Sequence, residues 1–188
     1  MTKYILHGGK TGIDCEENNK FFKEIVADLA DYSRVLLIYF ARDEDTWENR
    51  LSQEEKKFNL ATEGKKILLT VATKNIPQLI EDIKESDAIY ICGGDTPKLI
   101  DSMKDVPDLK NLLQNKTVAG SSAGVYVLSK YYYSKDLSQI GEGLGILPIK
   151  AFCHYLTTDE KEVKELEDYK EKLELYKIPE TKFVTLKI

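Results

Sequence analysis

KTVAGSSAGVYVLSK, residues 116–130, is the stretch from which the rest of this chain is read. A β-branched run ends at Ser121, and AGVYVLSK begins a helix with no loop residues between them. A strand that turns directly into a helix at Ser122 puts that residue in a cramped backbone conformation and leaves its hydroxyl at the sheet edge. Gly120 and Gly124, two before and two after, are then steric necessities, because side chains there would collide across the turn. G-S-S-A-G is the G-x-S-x-G elbow that carries a nucleophile; an ordinary glycine-rich turn is the plainer alternative. The N-terminus of the new helix favours a developing oxyanion, and the Ala123 N–H points to where that oxygen would sit.

Outward from the elbow, short aliphatic runs alternate with segments of helical period, the pattern of a mainly parallel sheet covered by helices. KYILH (3–7), RVLLIYFA (34–41), KKILLTVA (65–72), DAIYIC (87–92) and KTVAGS (116–121) read as strands. Phe21, Phe22, Ile25, Val26 and Leu29 form one helix face, and segments 47–62 and 76–85 read as further helices. Val163, Leu166, Tyr169, Leu173 and Tyr176 recur at three or four residues, which predicts one surface helix through this region. No internal repeat, low-complexity tract or linker interrupts the chain. Its 188 residues, 42% hydrophobic, suit a single domain over 1–188.

A formal charge of -5 without a basic tract excludes the electrostatic footprint of a nucleic-acid binder. No apolar run approaches the roughly 20 residues that cross a bilayer, and MTKYILHGGK does not read as a secretory leader. The expectation is a cytoplasmic protein with no membrane partner. Cys15, Cys92 and Cys153 lack the paired short spacings of a zinc site or disulfide scaffold and read as reduced thiols.

A second glycine pair, Gly93 and Gly94 in IYICGGDTPKLI, follows the preceding strand and precedes a helix start marked by Asp95, Thr96 and Pro97. Ligands gather at the carboxyl ends of parallel strands, so this turn shares a rim with the elbow and offers a second oxyanion donor. A serine nucleophile also needs a base, and the chain has two histidines. His154 follows the nucleophile in LGILPIKAFCHYL and is favoured, although His7 ends the first strand and spacing alone does not exclude it. Asp136, Asp159 and Glu160 are all within reach as the orienting acid, and spacing does not choose among them. Cys153 lies in no elbow and reads as a core residue. Tyr131, Tyr132 and Tyr133 fit either the site lining or the core. Trp47 reads as a helix anchor, and Arg42 as a weak candidate for a carboxylate pocket.

CGGDTPKL, GSSAGVYVLS and ILPIKAFCHY, in this order and at these separations, resemble dipeptidase E and its relatives. That serine peptidase family also includes cyanophycinase and is built on a three-layer α/β fold similar to class I glutamine amidotransferases. The similarity runs from the first strand to about Leu156. It implies Ser122 as nucleophile, His154 as base, oxyanion donors from Gly93, Gly94 and Ala123, and neither metal nor cofactor. It also places Asp136 within about one position of the family's triad acid. The implied reaction is hydrolysis of dipeptides or short peptides, those with N-terminal Asp among them, through an acyl-enzyme on Ser122. The chain stops at ETKFVTLKI where relatives continue through a further turn and strand, so a short member or a cut chain is expected, with a sheet edge or one wall of the site open. The partner is a small peptide substrate; such sheets also form homodimers, and nothing in the sequence selects an interface. An esterase of the α/β-hydrolase type shares the elbow but needs more chain after it than follows Ser122 here. A non-catalytic binding protein on the same fold is the other alternative.

Overall fold

Both faces of the aliphatic runs are covered, so alternate residues along each strand serve different cores. The computed structural model describes residues 1–188. In it β1 (Lys3–His7), β2 (Arg34–Ile38), β3 (Leu68–Val71), β4 (Ala88–Ile91) and β5 (Thr117–Ser121) run parallel to their neighbours in one sheet. β6 (Tyr131–Ser134), β7 (Gln139–Glu142), β8 (Ile149–Cys153) and β9 (Glu174–Ile178) form a second sheet in the order β7-β6-β8-β9. β10 (Phe183–Lys187) returns to the first sheet antiparallel to β1, completing the order β10-β1-β5-β4-β2-β3.

On one face of the first sheet Ile5, Val35, Leu37 and Tyr90 pack against α1 (Glu16–Val26) and α2 (Trp47–Ala61), through Phe21, Phe22 and Phe58. On the other, Leu6, Leu36, Ile38, Ile89 and Val118 share a core with α3 (Ile76–Glu85), α4 (Thr96–Met103), α5 (Leu109–Leu112) and α6 (Ala123–Leu128). β8 joins that second core through Ile149, Ala151 and Cys153, and α7 (Glu160–Asp168) covers the far side of the second sheet with Val163 and Leu166. The result is a three-layer α/β sandwich with a mostly parallel sheet. β5 lies between β1 and β4, which brings the turns after all three strands to one rim.

The predicted C-terminal helix is shorter than its periodicity implies. α7 ends at Asp168, and Lys170 adopts a left-handed φ of 52° that stops propagation. Leu173 precedes and Tyr176 belongs to β9, whose backbone pairs with β8. Their spacing of three fits a strand equally well, because Leu173 packs with the α7 cluster and Tyr176 with the central core, on opposite faces. ETKFVTLKI itself supplies β10, so the edge of β1 is paired. The tyrosine run is core: Tyr132 stacks on Tyr126 at 4.5 Å, while Tyr131 and Tyr133 pack around Phe152. Trp47 anchors the start of α2 by stacking on Phe40 at 6.0 Å. No helix is long and apolar enough to cross a membrane.

Candidate active site

Ser122 ends one element and starts the next. Its N–H donates to the His7 carbonyl at 2.9 Å, extending the β1–β5 ladder, while its carbonyl accepts from Val125 and Tyr126 at 2.8 and 3.1 Å, opening α6. Serving both leaves it at φ 50° and ψ −108°, a strained conformation for a residue with a side chain and one that costs on the order of 1–3 kcal/mol. The flanking glycines permit it: a Cβ on Gly120 would lie 2.6 Å from the Gly124 backbone, and one on Gly124 2.2 Å from the Ile91 carbonyl oxygen. The cost of the strain is met by the buried packing of β5 and α6 on either side.

The Ser122 Oγ lies 2.9 Å from His154 Nε2. His154 follows β8, its φ is also positive at 55°, and its Nδ1 lies 2.9 Å from Glu180 Oε1. A carboxylate at Nδ1 assigns the ring proton to that nitrogen and leaves Nε2 free to accept from the serine hydroxyl. Glu180 occupies the tight turn between β9 and β10, closed by Lys182 N–H to the Pro179 carbonyl at 3.2 Å. Its second oxygen pairs with Lys10 at 2.9 Å. Lys10 and His154 together hold its carboxyl below the usual range.

The acid next to His154 is therefore Glu180, and not Asp136. The imidazole presents Nδ1 to the β9–β10 turn, whereas Asp136 sits in the β6–β7 turn, exposed and without a hydrogen bond or ion pair of its own. Asp159 is committed elsewhere, to Lys135 at 2.8 Å and the Leu156 N–H at 2.7 Å, and Glu160 begins α7. The signal for Glu180 was present in IPETKF, a proline and polar residues between two β-prone runs. Extending the helical period through Tyr176 concealed the strand before it and so the turn.

His7 has a different environment. It is fully buried, accepts from the Gly9 N–H at Nδ1 (3.0 Å) and donates from Nε2 to Asn18 Oδ1 (2.9 Å). Burial pulls its pKa down to about 4, so it is neutral and has no nitrogen left for a substrate. The loop it holds supports His154: Gly9 lies flat on that ring, where a Cβ would come 2.2 Å from Cε1, and the Gly8 carbonyl accepts from the His154 N–H at 2.9 Å. Cys153 is buried beneath, and burial pushes its thiol far above the ordinary range, the opposite of an activated nucleophile.

Gly93 and Gly94 line the same cavity as Ser122, and their N–H groups and that of Ala123 are the candidate oxyanion donors. Those of Gly93 and Gly94 find no acceptor within the protein, and Gly93 is close enough that a Cβ there would lie 3.2 Å from Ser122 Cβ. The Ala123 N–H opens α6, so no preceding helical turn supplies it with a carbonyl. The arrangement can polarise a carbonyl while the hydroxyl attacks it.

Two cavities meet at Ser122 and His154. One, of about 400 Å³, has no hydrophobic residue in its walls and is lined by Lys10, Thr11, Arg42 and Arg50. The other, of about 500 Å³, adds Thr96, Tyr126, Ser134, Lys135 and Glu180. Asp136 lines both. Arg50 was not singled out in the sequence: it projects from α2, donates to Thr11 Oγ1 at 3.1 Å and lies 2.5 Å from Glu54 on the next helical turn. Glu54 is fully buried; burial pushes its carboxyl up, and the Arg50 guanidinium beside it opposes that shift. The Nε of Arg42 and that of Arg50 are buried without acceptors. No group of three or more His, Cys, Asp or Glu side chains is placed to hold a metal ion.

A peptidase from an acI-B1 Actinobacterium has the same fold, with a TM-score of 0.73 and 21% identity over 99% of this chain and 83% of that one. A Listeria monocytogenes EGD-e protein provisionally named a peptidase E superposes with a TM-score of 0.64 and 16% identity, over 100% of this chain and 99% of that one. No curated protein sequence matches the chain. Residues 4–187 match Peptidase family S51, and the chain belongs to that family of serine peptidases, which includes dipeptidase E.

Proposed function

We propose that this serine peptidase is an exopeptidase acting on dipeptides or short peptides with an acidic N-terminal residue, with Ser122, His154 and Glu180 as its triad. The single observation that carries this reading is the continuous relay Ser122 Oγ, His154, Glu180, with both links at 2.9 Å. His154 takes the serine proton as Oγ attacks the scissile carbonyl, and Glu180 stabilises the imidazolium. The N–H groups of Gly93, Gly94 and Ala123 receive the negative oxygen, each such donor contributing roughly a hundredfold or more in rate. His154 then protonates the leaving amine, and water, deprotonated by the same ring, releases the acyl group.

Preference for an acidic residue is supported by charge. Although the chain as a whole is acidic, two of its three arginines, Arg42 and Arg50, line the cavity of about 400 Å³ beside Lys10. Arg42, which has no acidic partner in the protein, is the cation free to receive a substrate carboxylate. The three unpaired cysteines suit a reducing compartment such as the cytoplasm. Hydrolysis of Asp-X, Glu-X and neutral dipeptides by the protein and by Ser122→Ala tests the reading. The expected order is Asp-X, then Glu-X, then neutral, with all activity lost in the variant. Turnover that survives Ser122→Ala, or a preference for neutral dipeptides, would overturn it.

A further inference from the structure

Asp136 is left without the role that its place in the chain suggested. It remains at the rim, lining both cavities beside Ser122, exposed and unpaired. Its neighbour Lys135 does not neutralise it, because that ammonium is turned to the Asp159 carboxylate at 2.8 and 3.0 Å and to the His154 carbonyl at 3.4 Å. The other acid lining the site, Glu180, has one oxygen on His154 and the other on Lys10. Asp136 is thus the one carboxylate of the two cavities with both oxygens free.

Its position is fixed by its turn. Ser134 Oγ accepts from the Leu137 N–H at 3.3 Å, the Ser138 N–H donates to the Lys135 carbonyl at 3.3 Å, and β6 and β7 pair up to Ser134 and Gln139. The surrounding charge is lopsided. Lys10 is paired with Glu180 and Arg50 with Glu54, whereas Arg42 has no acidic partner and attracts a carboxylate, while Asp136 attracts an ammonium.

We propose that Asp136 binds the α-ammonium group of the substrate's N-terminal residue and thereby makes the enzyme select free N-termini. The proposal rests on the peptidase reading above and adds to it which end of the peptide is recognised, and by what. A zwitterionic N-terminal residue is then oriented by its two charges, ammonium to Asp136 and side-chain carboxylate to the arginine wall, with its carbonyl presented to Ser122. Chains blocked or extended at the N-terminus lose the ammonium contact, which restricts cleavage to the first peptide bond.

Aspartyl p-nitroanilide and succinyl p-nitroanilide share one carbon skeleton, side-chain carboxylate and leaving group, and differ by hydrogen in place of the amine. The expected kcat/KM of the unmodified protein favours the amine by roughly 10- to 100-fold, the range of a hydrogen bond between charged groups. Asp136→Asn, an exposed and isosteric change, brings that ratio towards one, mainly through KM, and Asp136→Glu restores part of it. If the ratio stays high in Asp136→Asn, or is already near one in the unmodified protein, the anchor is overturned while the peptidase reading stands. If the unmodified protein hydrolyses neither compound and no dipeptide, the peptidase reading falls and the anchor falls with it.

Discussion

His7 ends β1 and His154 follows β8, strands of different sheets, and the two rings meet across one glycine, yet almost everything else about them differs. His7 is sealed in the first sheet's rim with both nitrogens satisfied by Asn18 and Gly9, neutral because burial makes its charge costly. His154 is about one-third exposed, with one nitrogen on the serine and the other on Glu180. The buried ring shapes the loop on which the working ring rests. A histidine becomes a base when one nitrogen faces the substrate and a carboxylate organises the other. Proximity to the rim, which both share, is not enough.

The widest separation between the two is expected in turnover. His154→Ala should lower kcat on Asp-X dipeptides by roughly a millionfold, the scale reached when the base of a serine triad is removed. Comparable loss from His7→Gln in a protein that still folds would erase the distinction drawn here. Glu180→Gln comes next, with about 10⁴-fold in kcat expected from loss of the charge that sets the imidazole tautomer. Steady-state kinetics of Glu180→Gln beside Asp136→Asn sharpens the comparison, because only the former should act mainly on kcat.

The smallest effect belongs to His7 and is read in stability. Its folded pKa is about 4 against 6.5 unfolded, so between those values the unfolded chain holds the proton that the folded one lacks. Stability therefore falls as pH drops from 6.5 towards 4, by on the order of 3 kcal/mol over that window. Urea unfolding at a series of pH values should show this slope in the unmodified protein and a flatter one in His7→Gln.

Much of this was legible beforehand. The five parallel strands read from aliphatic runs are β1–β5, and α2 and α3 lie within a residue of the segments 47–62 and 76–85. Four of these runs announce themselves because a strand buried on both faces tolerates little else, while β3, at the sheet edge and only partly buried, is aliphatic without being sealed. The serine turn was legible too, since a strand that becomes a helix without a loop needs small residues at fixed offsets. Arg50 was hidden, because one arginine among the charges of α2 looks like any solvated residue until Thr11 and Glu54 are seen around it.

By itself the sequence determined the parallel sheet, the serine at its rim and the glycines around it, because those features depend on residues within a few positions of one another. Tertiary structure decided which acid meets which base. Glu180 lies 26 residues beyond His154 and reaches it only because β9 pairs with β8 and β10 crosses back to β1, so that the turn between them falls behind the imidazole. No local pattern encodes that contact. Pairing of β9 in one sheet and of β10 in the other creates it, and Asp136, in the β6–β7 turn, is left free at the rim.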